Sequence, residues 1–134
     1  MSLTSYEAIK SSIVLDFEEY MEEEGLNVAQ VAAKTLEEDW RRVNDSLFTK
    51  TLYFVSIAIE SLKHKEMADF IYSKLDGYLE NAKFEEHIDN NDIEMLMRDI
   101  QLCKKLLDNG DYIIRETSDA AKSRVEYILS LKVD

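Results

Sequence analysis

The sequence predicts an all-α fold, a single-domain bundle of about six helices packed antiparallel over residues 1–134. Three observations carry that expectation. Apolar residues recur at spacings of three and four through most of the chain. There is no proline and there are only three glycines, which favours long helices with short connections. One strand-like run exists, and no second run of similar quality is there to pair with it; a lone strand leaves its backbone groups unsatisfied. At 134 residues the chain can bury a core without disulfide or metal staples.

The first helix is expected over Tyr6–Glu24, with Tyr6, Ile9, Ile13, Phe17, Tyr20 and Met21 on one stripe. Ser5 suits its N-cap, and Gly25 followed by Leu26 suits a glycine-terminated end. Asn27 with Gln30 forms a capping box for the second helix, whose buried side runs through Val28, Val31, Ala32, Thr35, Leu36, Trp40 and Val43. Asn44-Asp45-Ser46 interrupts the pattern and can cap the next element. Residues 47–62 are the most apolar stretch. Leu52 to Ile59 is rich enough in Val, Ile, Tyr and Phe to be a buried strand. The length of the whole stretch favours a central helix covered on most sides. A fourth helix is expected over Glu66–Leu79, with Gly77 a possible early stop, then an irregular loop over 80–91 that can hold a short helix. The fifth covers 92–108, capped by Asn91 and ended by Gly110. The last covers 112–131, unless Thr117-Ser118-Asp119 splits it.

The chain carries 28 acidic against 16 basic residues, a net charge of −12. Nucleic-acid binding needs a concentrated basic patch, and none is present. The charge is uneven: residues 1–44 hold ten acids and four bases, residues 91–134 nine and seven. No apolar run reaches membrane-spanning length, and residues 1–12 lack the basic start and apolar stretch of a signal peptide. The single cysteine, Cys103, excludes an internal disulfide and suits a reducing cytoplasm. Oligomeric state is not encoded in any pattern of the chain.

The strongest local signal is misplaced acidity. Glu18, Glu19, Glu22, Glu23 and Glu24 crowd the last turns of the first helix, around Tyr20 and just before Gly25. A helix C-terminus already carries partial negative charge, so each anion there costs about 0.3–1 kcal/mol at low salt. Helix energetics alone would place Lys or Arg at these positions. Glu37, Glu38 and Asp39 form a second acidic group at the end of the second helix. The arrangement therefore points outward, to solubility or to a basic protein partner that charge would steer. The seven tyrosines have two readings: core residues with hydroxyls at the rim, or interface anchors. Tyr20 lies inside the acidic group, and Tyr72 and Tyr78 lie near Asp76 and Glu80.

Chemistry is not signalled. Glu60 and His64 stand at i and i+4, and Glu85-Glu86-His87 forms a cluster, but neither is a zinc or di-iron signature. Cys103 sits on an apolar stripe without a base, and the three glycines form no phosphate loop. Neither a catalytic residue, a metal nor a cofactor is expected. A DNA mimic would need an uninterrupted track of carboxylates, which the 16 basic residues break.

Several segments carry a further likeness: Tyr6-Glu7, Phe17-Glu18-Glu19-Tyr20, Gly25 before Ala29 and Ala33, Tyr53-Phe54-Val55-Ser56-Ile57-Ala58, Ser61-Leu62-Lys63-His64-Lys65, then Ile71, Lys74, Leu75 and Asp76. From Tyr6 to about Leu79 the chain resembles a small all-helical family of immunity proteins from bacterial polymorphic toxin systems. The family tends to have a glycine between its third and fourth helices, where this chain has His64-Lys65-Glu66. The resemblance implies a cytoplasmic protein without catalytic activity that binds a cognate toxin, often a nuclease, and blocks it. Glu18, Glu19, Tyr20, Glu22 and Glu23 would then be the first partner-binding residues, with Glu37, Glu38 and Asp39 second. The alternative is an acidic helical adaptor or regulator of another basic protein.

Overall fold

The computed structural model describes residues 5–80 and 83–132, with side chains from Tyr6 onward. The chain is all-α: among the described residues, seven helices pack around one core, with a single pair of three-residue strands. The cap expected at Ser5 rests on a side chain outside that description.

Helix α1 (Ser5–Glu22) buries Tyr6, Ile9, Ile13 and Phe17, the expected stripe, against α2 (Val28–Glu38) and α4 (Leu47–Lys63). Gly25 ends it in the left-handed region at φ 69°, and the Leu26 N–H donates to the Tyr20 carbonyl at 2.9 Å. The capping box that opens α2 is complete, with Asn27 and Gln30 exchanging bonds of 2.9 Å. Expected to reach Val43, α2 instead stops at Glu38. Asp39 breaks the helical path (φ −102°, ψ 19°), and a single further turn, α3 (Trp40–Val43), comes next. The break lets the Asp39 carboxylate accept the Tyr53 hydroxyl at 2.9 Å. Val43 is buried as expected, while Trp40 is only half-buried under the Arg41 guanidinium.

The apolar stretch is the central helix α4. Every residue from Thr51 to Leu62 is buried, on all sides of the helix. Ser46 caps it by accepting from the Thr49 N–H at 3.0 Å. Glu85, from the connection that follows residue 80, accepts from the Leu47 and Phe48 N–H groups at 2.7 and 3.2 Å. Burial pushes the Glu85 carboxyl up, but these donors outweigh it and hold the group below its ordinary value. Phe84 meets Phe48 edge-on at 5.4 Å. Two anchors on α4 thus pin the described part of a connection that reads as irregular.

Two stretches expected as helix are extended. Glu66–Ala68 forms β1 and Ile113–Arg115 forms β2, paired in parallel with Glu66 opposite Ile113. The Ile113 N–H also donates to the Lys65 carbonyl at 3.0 Å. Met67 and Ala68 are fully buried in this extended form. Over three residues an apolar run fits period two and period 3.6 equally, so the spacing of Met67 to Phe70 and Ile71 is compatible with either. Helix α5 (Asp69–Leu79) therefore starts after the strand, and it runs through Gly77 without stopping. Helix α6 (Asn90–Asn109) is capped by Asp89, two residues before the expected Asn91, and ends at Gly110 with φ 68°. Helix α7 (Asp119–Ser130) begins at the expected split, where Ser118 accepts from the Ala121 N–H at 3.2 Å.

Lys65 is the one described non-glycine residue with positive φ, at 58°. It turns the chain from α4 into β1. A side chain in the left-handed region costs about 1–2 kcal/mol, and glycine escapes that cost. Its ion pair with Asp111, 3.1 Å long, is exposed at both ends and offsets little of this. Lys65→Gly should therefore raise the urea unfolding free energy by about 0.5–1 kcal/mol after the added backbone entropy is counted. A variant no more stable than the parent would show the turn to be unstrained.

Candidate protein-binding surface

The acidic group at the end of α1 stands on a fixed helix, because Phe17 anchors the preceding turn in the core and Met21 packs partly against it. Glu18, Glu19, Glu22 and Glu23 are exposed, and among the described residues none of them has an ion-pair partner. The last turn of α1 contains no basic residue. The electrostatic cost read from the sequence thus stands without local compensation at these four positions.

The remaining expected residues have partners within the fold. Tyr20 donates its hydroxyl to Glu38 at 2.6 Å. Its ring lies under the Lys34 ammonium, 4.2 Å from the centroid, and Lys34 also pairs with Glu24 at 3.0 Å. These contacts bind the end of α1 to α2. Glu37 pairs with Arg124 of α7 at 3.1 Å, and Asp39 receives the Tyr53 hydroxyl. Glu38 and Tyr20 are thus brought together, while Glu37 faces α7.

Sequence reading missed Asp16, which lies one turn before Tyr20. The Thr35 hydroxyl donates to it at 3.1 Å. Its carboxyl is pushed up to about 6, chiefly by burial and further by the charges of Asp39, Glu38 and Glu19, against the opposing Thr35 bond. Four carboxylates therefore share the seam between α1 and the end of α2. The available signal was its i, i+4 spacing to Tyr20; the approach of Glu38 and Asp39 had none.

Phenol–carboxylate bonds recur away from this seam. Tyr6 donates to Asp99 of α6, which also pairs with Lys10 at 3.0 Å. Burial and Asp99 raise the Tyr6 phenol far above its ordinary value, burial and Asp39 do the same for Tyr53, and for Tyr20 the Glu38 bond leads. These hydroxyls stay protonated and act as donors. Tyr78 instead stacks on Phe54 at 4.5 Å, whereas Tyr72 is exposed beside Tyr112.

The residues weighed for chemistry are dispersed. Glu60 pairs with Lys63 at 2.8 Å, and the His64 ring stacks on Phe17. Cys103 is fully buried, and burial together with the Asp99 charge pushes its thiol up to about 12, far from a reactive thiolate. Among the described residues no three His, Cys, Asp or Glu side chains are grouped to hold a metal ion, and no helix is long and apolar enough to cross a membrane.

Fold and surface together define a compact acidic helical protein with an unpaired carboxylate row at one helix end. Comparison of the chain with protein-family models, curated proteins and solved structures finds no match.

Asp16 supplies a pH test of the seam. A carboxyl raised in the folded state takes up its proton there before it does in the unfolded chain. Its ionisation therefore lowers stability above about pH 6, and that penalty fades as pH falls towards the unfolded value near 3.8. Asp16→Asn should stabilise the protein at pH 7–8, with the gain shrinking by pH 4. Thermal melts across this range check it, and a pH-independent difference would place the Asp16 carboxyl at its ordinary value.

Proposed function

We propose that this chain is an immunity protein that binds and neutralises a cognate bacterial toxin by stoichiometric association. The observation that carries the reading is the row of Glu18, Glu19, Glu22 and Glu23, exposed and unpaired on a rigid helix end that disfavours them. Local stability is given up where an acidic surface results. The resemblance over Tyr6 to about Leu79 supplies the class of partner. A nuclease fits best, because an enzyme that binds a polyanion presents basic residues.

In this reading the four glutamates steer encounter with a basic toxin domain and meet its cations at the interface. The half-buried Tyr20 ring, held by Lys34 and Glu38, offers a preorganised aromatic edge inside the acidic rim. Glu37, Glu38 and Asp39 add field while their hydrogen bonds and ion pair keep the helix ends in place. No cofactor, nucleic acid or membrane takes part, and inhibition is by occlusion. An acidic adaptor for another basic protein predicts the same charge dependence. Gene neighbourhood separates the two, since an immunity gene should lie just downstream of a toxin-domain gene.

Charge reversal of Glu18, Glu19, Glu22 and Glu23 to lysine should leave the fold intact and raise its melting temperature, because cations suit a helix C-terminus. Affinity for the co-purified product of the upstream gene should fall at least tenfold at low salt, about 1.4 kcal/mol. The deficit should shrink near 1 M salt, where the screening length is about 3 Å. Unchanged affinity at low salt would remove the α1 row from the interface.

A further inference from the structure

A cavity of about 240 Å³ opens between α1, α4 and α6, and none of the acidic surface residues lines it. Helices α1 and α6 both pack on α4, and Asp99 joins them where it meets Tyr6 and Lys10. Between them a gap reaches down to α4, whose residues at its floor remain buried. Ser56 and Glu60, one turn apart on α4, lie in the cavity with Lys10, Lys63 and Asp99.

Ser56 marks the cavity as more than a packing gap. Its residue is only 3% exposed, yet its Oγ has no hydrogen-bond partner. Two other hydroxyls on α4 behave differently: Thr51 and Ser61 donate to the carbonyls four residues back, at 2.8 and 2.7 Å. That local bond is the usual resting place for a helical hydroxyl. Ser56 forgoes it, and its residue lies in the cavity wall. Buried polar groups are almost always satisfied, so an exception at a cavity wall points to a missing partner.

The charges are ordered by depth. The side chains of Asp99 and Glu60 are each 12% exposed, whereas those of Lys10 and Lys63 are 40% and 60% exposed. Carboxylates thus lie deep and ammonium groups lie at the mouth, in equal number. A lone anion would meet the buried acids, and a lone cation would strip both lysines of their counter-charges. A ligand carrying both signs, cation inward, leaves every charge compensated. Val14, Ile59 and Leu102 complete the wall with aliphatic surface. The volume is below the roughly 300–1,000 Å³ of drug-sized pockets, which limits the occupant to a small metabolite.

We propose that this cavity binds a small aliphatic α-amino acid, its ammonium received by Ser56, Glu60 and Asp99 and its carboxylate by Lys10 and Lys63. The site is separate from the acidic row and does not depend on the toxin-binding reading.

Isothermal titration of the full chain with L-valine tests it, alongside 3-methylbutanoate, which lacks the ammonium, and 2-methylpropan-1-amine, which lacks the carboxylate. Valine should bind at millimolar concentration or tighter, and each analogue at least tenfold more weakly. Ser56→Ala should weaken valine binding at least tenfold with a melting temperature no lower than the parent's, and Lys63→Met should weaken it at least tenfold while the far-UV circular dichroism of the folded chain is unchanged. Absence of valine binding overturns the proposal. So does equal binding of either single-charge analogue, or full binding by a folded Ser56→Ala variant.

Discussion

The structure depends on the burial of α4 from Thr51 to Leu62. A helix apolar all round has no face to give to water, so it must be covered on every side. The α1 stripe, α5, α6, the single turn α3 and strand β1 supply that cover. Each fully buried Leu, Ile, Val or Phe contributes about 1.5–3 kcal/mol over its exposed state. Tyr53, Phe54, Leu52 and Ile57 therefore outweigh any of the surface ion pairs. The ends of α4 emerge at the surface, at Leu47 and Lys63, where its terminal N–H and carbonyl groups still need partners. Ser46 and Glu85 serve one end. At the other, Lys65 takes a left-handed turn that lets the chain leave directly into β1.

Tyrosine connects the core to the acidic surplus. Tyr6, Tyr20 and Tyr53 each bury part of a ring and donate the hydroxyl to a carboxylate on another element, Asp99, Glu38 and Asp39 respectively. A charged acceptor makes such a bond stronger than a neutral one. Acidity that looks uniform in the composition is thereby divided. Some carboxylates are structural acceptors, some are paired with Lys or Arg, and the row on α1 is left facing water. Only the last class is available to a partner at no internal cost, and for that reason the functional reading rests on it. Asp16 lies on the boundary, drawn into the seam and raised towards neutral pH by burial and its acidic neighbours.

Much of the fold is legible from local pattern. The α1 stripe, the Asn27–Gln30 capping box, the stops at Gly25 and Gly110, the helical state of the apolar stretch and the buried place of Cys103 all come from periodicity and cap chemistry. The largest departures from expectation fall where an element needs a distant partner. Residues 66–68 and 113–115 are strands because each has the other, 47 residues along the chain for Glu66 and Ile113. The break at Asp39 accompanies its bond to the Tyr53 hydroxyl, 14 residues along the chain. Of the candidate surface, the exposed α1 glutamates are readable as an anomaly of helix electrostatics. The engagement of Tyr20, Glu37, Glu38 and Asp39 is not, since their partners lie on other elements. The cavity at Ser56 has no sequence signal at all.

The sequence by itself determined the all-α class, the central helix and the placement of acid at the end of α1. Those properties reside in the spacing of neighbours within a few turns, and spacing is written directly in the chain. Tertiary structure decided which carboxylates are free, which hydroxyls are satisfied and where two short strands replace helix. Each of those outcomes depends on the distance between groups far apart in sequence, which exists only once α4 has gathered its cover.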